Sequence, residues 1–290
     1  MSPILALDIG GTKILASLVD GATVIERRVM ATRRETGPEE WIGQIVRAVE
    51  GWEGRYDGIG CAVTGVVAGG CWSPLNTGTL AIPPHYPLAD RLGAAFGCRP
   101  VLANDAQAAA WGEYLHGAGQ GRDMVFLTVS TGIGGGVVTH GRLLVGRGGV
   151  AGSFGQAIDG VGARLEDRAS GLGIEAAARR AGHDLRAPAI FAACAAGESW
   201  AEAVVRASAV DVALLCCNLQ LAFDPQVIVI GGGVGMAGGY LERLRRQCDA
   251  RPDRLRPSLV AAALGADAGV IGIAALARAE CTAAPGEKGR

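Results

Sequence analysis

Two aspartates and three glycine-rich turns are the residues of this chain whose types and spacing could do chemistry. In LALDIGGTKILASLVDG, Leu5 to Gly21, Asp8 stands two residues before the pair Gly10-Gly11, with Thr12 and Lys13 next. Glycines let backbone N–H groups approach an anion closely and form a concave nest. A nearby carboxylate can hold a hydrated cation that carries the anion's charge, so the stretch reads as a site for metal-bound phosphate or, equally, as a hairpin that Asp8 merely caps. In the best-known phosphate loop the Lys-Ser/Thr pair opens a helix. Here Ile14 to Val19 are apolar and short and Asp20-Gly21 follows, which predicts strand, glycine turn, strand.

The second turn, STGIGGG from Ser130 to Gly136, offers the Thr131 hydroxyl and unobstructed N–H groups around Gly132; its other reading is a flexible hairpin. The third, VIVIGGGVG from Val227 to Gly235, ends an apolar strand in Gly231, Gly232 and Gly233, bare backbone against which an adenine or ribose could lie. Asp105, in PVLANDAQAAAWGEY, follows the buried-strand residues Val101 and Leu102 and precedes a helix predicted over Ala106 to Tyr114. A carboxylate there faces the crevice where open α/β sheets bind ligands. Asp and Asn are also ordinary helix N-caps, and cap preferences alone favour that use.

The elements that must position these residues repeat. LALDIGGTKILASLVDG and MVFLTVSTGIGGGVVTHGRLL, Met124 to Leu144, are both strand, small-residue turn, strand and further turn. A duplicated α/β domain is expected, each half opening on a β-meander and continuing into alternating helices and strands, with a nucleotide between the halves. In the first half helices are predicted over Pro38 to Val49 and Leu88 to Phe96, with a strand from Gly58 running into a loop. In the second, helices are predicted near Leu165 to Ala181, Trp200 to Leu221 and Ala268 to Ala279. The boundary falls near His116 to Gln120, giving a small lobe over 1–118, on which the C-terminal helix can pack back, and a large lobe over 119–290.

Composition narrows the partners. The 290 residues are 49% hydrophobic with a formal net charge of -1 and no basic cluster, which argues against a nucleic-acid surface. No segment reads as an uninterrupted apolar span of bilayer length, and residues 1 to 6 lead into a strand, so a cytoplasmic protein with small-molecule partners is expected. The eight cysteines have no CxxC or CxC spacing and read as small core residues. Only the tail after Glu280 looks frayed.

The segments LALDIGGTK, CAVTGVV, LANDAQAAAWGE, FLTVSTGIGGGVV, GGVAGSFG, LEDRASG and VIVIGGGVG, in this order and spacing, resemble the ROK sugar kinases of the actin-like, hexokinase-like ATPase superfamily, and within it the bacterial N-acetylmannosamine kinases. The resemblance implies two actin-like (ribonuclease H-like) lobes with an interdomain cleft, ATP and Mg²⁺ as cofactors, transfer of phosphate to a sugar 6-hydroxyl, and a homodimer through the large lobe. It implies that Asp8, Gly10, Gly11, Thr12 and Lys13 form a first phosphate loop, with Asp8 near Mg²⁺ through water. Thr131 and Gly132 would belong to a second phosphate loop, and Gly231, Gly232 and Gly233 would border the adenosine. Asp105 would be the base, with Gly65, Asn104, Ser153, Gln156 and Glu166 touching the sugar.

Two departures stand out. The family's Ala-Gly-Glu-x-Gly-His is here AGSFGQ, with Ser153 and Gln156 in place of a glutamate and a histidine, and its zinc motif Cys-x-Cys-Gly-x-x-Gly-Cys is replaced by DGVGARLE, Asp159 to Glu166. Structural zinc is therefore not expected, on ligand chemistry. Gln156 can still hydrogen-bond a hydroxyl. Glucokinase or another ROK hexokinase stays open as an alternative, as does a catalytically weak sugar- or nucleotide-binding protein. The family's repressors carry a helix-turn-helix module ahead of the first strand, which here begins near Ile4.

Overall fold

The computed structural model describes residues 2–76, 80–159 and 162–282. The expected frayed tail falls largely on 283–290, outside the described residues, while Cys281 and Thr282 close the last helix. The chain divides into two compact units, the first formed by the described parts of Met1–His116, Val145–Ala151 and Ala266–Arg290, the second by those of Gly117–Leu144 and Gly152–Gly265.

The first unit opens with β1 (Ile4–Ile9), β2 (Lys13–Asp20) and β3 (Thr23–Ala31), followed by α1 (Pro38–Ala48), β4 (Gly58–Val63), the hairpin β5 (Val66–Ala68) and β6 (Cys71–Ser73), α2 (Leu88–Phe96), β7 (Val101–Asn104) and α3 (Asp105–His116). Its sheet has the order β3-β2-β1-β4-β7. β1 and β4 read as nearly continuous apolar runs because both faces of the inner strands are covered. β3 alternates and ends the sheet with charged Glu26, Arg27 and Arg28, which suits an edge. Helix α1 starts on Pro38, with Glu39 and Glu40 in its first turn and Arg47 in its last, agreeing with the helix dipole, and buries Trp41, Ile42 and Ile45. The strand from Gly58 does not simply run into a loop; after Val63 the chain forms the β5–β6 hairpin.

The second unit repeats the plan: β8 (Met124–Val129), β9 (Ile133–Thr139), β10 (Arg142–Leu144), then α4 (Leu165–Ala169), α5 (Gly171–Arg180), α6 (Ala187–Ala195), α7 (Ser199–Phe223), β11 (Val227–Gly231), the short α8 (Gly232–Gly235), α9 (Tyr240–Cys248) and β12 (Leu259–Ala261). Its sheet order, β10-β9-β8-β11-β12, is that of the first unit strand for strand. The helix predicted over Leu165 to Ala181 is two helices, because Ser170 is extended and its hydroxyl caps α5 by accepting from Gly173 N–H. Helix α7 is long and apolar enough by length and composition to cross a bilayer, but Glu202, Arg206 and Asp211 interrupt it and half of its most apolar stretch is buried inside the protein.

The last helix, α10 (Ala268–Thr282), belongs to the first unit and lies against α3 and β4. The approach is backbone to backbone. A Cβ on Gly112 would come within 2.5 Å of the Ala268 carbonyl, one on Gly60 within 2.6 Å of the Ile273 carbonyl, and one on Gly272 would overlap the Ala108 carbonyl.

Candidate active site

Strand register brings the first group of candidate residues to one edge. β1 pairs with β4 as Asp8↔Ala62 and Ile9↔Val63, and β4 pairs with β7 as Val63↔Asn104, all in parallel. Asp8, Gly65, Asn104 and Asp105 therefore gather at the carboxyl ends of neighbouring strands, where open α/β sheets bind ligands.

Asn104, not Asp105, caps α3. Its Oδ1 accepts from the N–H groups of Ala106 at 2.9 Å and Gln107 at 3.1 Å, and its Nδ2 donates to the Gly65 carbonyl at 2.9 Å. Gly65 has φ +101, and a Cβ there would press on the Ser73 carbonyl at 2.6 Å, so glycine is required. Asp105 is the first helical residue, with Oδ1 accepting the Ala106 N–H at 2.8 Å. Burial pushes its carboxyl up to about 6, against the lowering effect of the Ala106 N–H and the Asn104 amide.

Asp8 is pushed up further, to about 7, first by burial and then by the charge of Asp105, with Lys13 pulling the other way. Its carboxylate makes no hydrogen bond among the described residues. A desolvated carboxylate beside a second one gains from a cation, and its hard oxygens suit Mg²⁺, so Asp8 fits the metal that the family resemblance implies. Gly269, in the first turn of α10, lies close to both groups, 3.8 Å from Asp8 Oδ2 and 4.0 Å from the Asp105 carbonyl measured from the Cβ position.

The Gly10–Lys13 turn is held by its carbonyls. The Lys13 carbonyl accepts from Gly10 N–H at 3.1 Å, the Thr12 carbonyl from Thr32 N–H at 3.1 Å, the Gly10 carbonyl from Thr32 Oγ1 at 2.8 Å and the Gly11 carbonyl from Arg34 Nε at 2.6 Å. The N–H groups of Gly11 and Thr12 have no partner among the described residues, and Thr12 and Lys13 are exposed. Thr32 and Arg34 lie 22 and 23 residues from the glycines they hold, and nothing in the local sequence marks them. Gln107 was likewise invisible: 2% exposed, it donates from Nε2 to the Ala151 carbonyl at 2.8 Å and ties segment 145–151 to α3.

In the second unit the pattern recurs. β8 and β9 meet as Val129↔Ile133, and the intervening turn is again held by its carbonyls: Ser130 accepts from Gly171 N–H at 2.7 Å, Thr131 from Leu172 N–H at 3.3 Å and Gly132 from Ser130 N–H at 2.8 Å. The N–H groups of Thr131 and Gly132 are left without a partner among the described residues. β11 pairs with β8 as Gly231↔Thr128, which sets Gly231–Gly233 at the same sheet edge. Two of these glycines are explained by packing: a Cβ on Gly231 would meet the Phe126 ring at 2.9 Å and one on Gly232, at φ +83, would meet Thr128 Oγ1 at 2.6 Å. Gly233 faces open space.

Glu166, on α4, links this turn to the altered segment. Its Oε2 accepts from Ile133 N–H at 3.1 Å and its Oε1 faces Gln156 Nε2 at 3.5 Å. A Cβ on Gly132 would meet Oε2 at 2.5 Å. Ser153 precedes the 3₁₀ turn Phe154–Gln156 without capping it by its side chain. Each unit thus carries hydrogen-bonding groups and an anion-receptive turn at one sheet edge, the equipment for binding a polar substrate and a phosphorylated one.

The sequence signature described as the ROK family matches residues 4–280. The bifunctional enzyme NanE/NanK of Brucella melitensis is 54% identical over 279 residues, covering 95% of this chain and 54% of that protein; the chain spans about half the length of the first curated relatives it matches. The N-acetylmannosamine kinase of Citrobacter koseri is 40% identical over 286 residues, covering 95% of this chain and 99% of that protein. Among solved structures, a ROK family glucokinase from Streptomyces griseus in complex with glucose and AMPPNP aligns with TM-score 0.81 at 31% identity over 96% of this chain and 99% of that one. The ROK hexokinase of Thermus thermophilus aligns with TM-score 0.79 at 35% identity over 96% and 98%.

Proposed function

The chain belongs to the ROK family, and from that premise we propose that it is an ATP-dependent kinase acting on the 6-hydroxyl of N-acetylmannosamine. The observation that carries the mechanism is the division of labour at the start of α3. Asn104 supplies the cap, so the Asp105 carboxylate, which shares the Ala106 N–H, is not needed to close the helix end and can take part in chemistry.

In this reading the sugar's 6-oxygen attacks the γ-phosphorus, the bond to the β–γ bridging oxygen breaks, and Asp105 takes the hydroxyl proton. A carboxyl poised at about 6 is ionised at neutral pH yet basic enough to accept that proton as transfer proceeds. Mg²⁺, held by Asp8, would neutralise charge on the phosphates. The free N–H groups of Gly11 and Thr12, with Lys13, and those of Thr131 and Gly132 would receive phosphate oxygens, while Gly233, with Gly231 and Gly232 behind it, would border the adenosine. Gly65, Asn104, Ser153, Gln156 and Glu166 would bind the sugar, and their work is positioning, which supplies much of the rate in phosphoryl transfer.

The test is ADP release with ATP and Mg²⁺ against N-acetylmannosamine, N-acetylglucosamine, glucose and mannose. Asp105→Asn is expected to lower kcat by about 10³-fold, within the range for loss of a general base, with nucleotide affinity retained; near-normal turnover in that variant overturns the assignment. A preference for glucose would favour the glucokinase reading, which the likeness to the Streptomyces griseus enzyme supports. We further propose a cytoplasmic homodimer formed through α7, whose Val210, Leu214, Leu221 and Phe223 are exposed.

A further inference from the structure

The family resemblance implies zinc ligands between the strand-turn-strand of the second unit and α4, and this chain has none to offer: no cysteine or histidine occurs between His140 and His183. Structural zinc sites are built from thiolates and imidazoles, so the donor set does not fit the metal. Helix α4 is only five residues long, too short to hold itself, yet it carries Glu166.

Other bonds hold this region. Leu165 N–H donates to the Ala157 carbonyl at 2.8 Å, Asp159 N–H to the Ala163 carbonyl at 3.0 Å, and Ala163 N–H returns to Asp159 Oδ1 at 2.8 Å, which holds Asp159 beside Ala163. Asp159 also pairs with Arg168 on α4, and Arg168 Nε lies 3.4 Å from Asp211 Oδ2 on α7. One guanidinium therefore joins Asp159, α4 and the core helix of the unit. Ser208, three residues before Asp211 on α7, donates to the Ala169 carbonyl at 2.7 Å and anchors the far end of α4.

We propose that Arg168, clasped between Asp159 and Asp211, does the work of a structural metal in this chain and positions Glu166 and Gln156 for the substrate. Arg168 sits two residues beyond Glu166, and the planar guanidinium can serve two carboxylates at once. Asp159 and Asp211 are 21% and 28% exposed and Arg168 is 41% exposed, so the clasp acts by joining two carboxylates from separate elements through one guanidinium, and not by burial of its charges. Arg168 is a positioning residue and touches no substrate. That the positioned pair reads a sugar rests on the kinase reading; the clasp itself does not.

Two readouts on the full chain test this. With N-acetylmannosamine and ATP, Arg168→Met is expected to raise the sugar KM about tenfold, the size typical of losing a group that orients a ligating residue. The ATP KM should stay unchanged and kcat within about threefold. Asp211→Asn should move the sugar KM in the same direction by less, and Arg168→Lys should recover part of the loss. Independently of activity, tryptic cleavage after Arg164 should be faster in Arg168→Met and Asp211→Asn than in the parent protein. Unchanged sugar KM, or sugar and ATP KM rising together, overturns the proposal, as does an unchanged cleavage rate. A parent protein that phosphorylates no sugar overturns the kinase reading instead, and the cleavage rates then decide the clasp alone.

Discussion

At the scale of residues, the cost of the site is electrostatic. Asp105 titrates at about 6 rather than at its ordinary 3.8 because burial disfavours its charge. Below about pH 4 folded and unfolded chains both carry the proton and nothing is lost. Between there and about pH 6 the folded state keeps a proton that the unfolded state has released, so stability falls as pH rises, and the loss is complete above about pH 6. The departure corresponds to ~3 kcal/mol. Asp105→Asn is expected to raise stability at pH 8 by up to ~3 kcal/mol and to change it little at pH 4, in guanidinium unfolding curves at the two pH values. Activity runs the other way: kcat/KM for the sugar should fall below about pH 6 as Asp105 takes up its proton. A variant that is less stable at pH 8, or a flat rate profile through pH 6, contradicts the assignment.

At the scale of elements, α10 closes the first unit by glycine contacts rather than by interlocking side chains. Gly272 rests on the Ala108 carbonyl and Gly112 on the Ala268 carbonyl, so neither helix can take a methyl group there without moving a backbone. The same contact sets Gly269 beside Asp8 and Asp105. Gly272→Ala is expected to cost ~2–3 kcal/mol in urea unfolding, an overpacking penalty that outweighs the alanine's helix propensity. It should also lower activity, because displaced α3 carries Asp105. A variant as stable as the parent protein would show that the two helices have slack at this crossing.

At the scale of the whole molecule, the duplication reaches the bonds of the site. Both five-stranded sheets share one strand order, and in both the turn between the first two strands is tied down through its carbonyls, which leaves N–H groups for an anion. The proposed dimer rests on one face of α7. Val210, Leu214 and Leu221 recur at helical spacing with exposures of 42%, 62% and 56%, more than scattered surface apolars would show on one stripe. Leu214→Glu is expected to convert a dimer to a monomer in sedimentation velocity while leaving each unit folded; a parent protein that sediments as a monomer removes the proposed dimer. The bonds that assemble the site differ in how far they reach along the chain, and that reach decides what could be read before folding. Alternation, glycine turns and the two strand-end aspartates are written within a few residues of one another, so the strand-turn-strand repeat, most helices and the candidates Asp8, Asp105, Gly10–Lys13 and Thr131–Gly132 were legible in the sequence. Whether Asp105 capped its helix was not, because Asn104 and Asp105 are both good caps and backbone geometry chose between them. Thr32 and Arg34 on the first turn, Gly171 and Leu172 on the second, and Arg168 against Asp211 are contacts across tens of residues. Only tertiary structure could decide those, since hydrogen bonds and ion pairs of that span depend on how the sheets and helices pack and not on any local period.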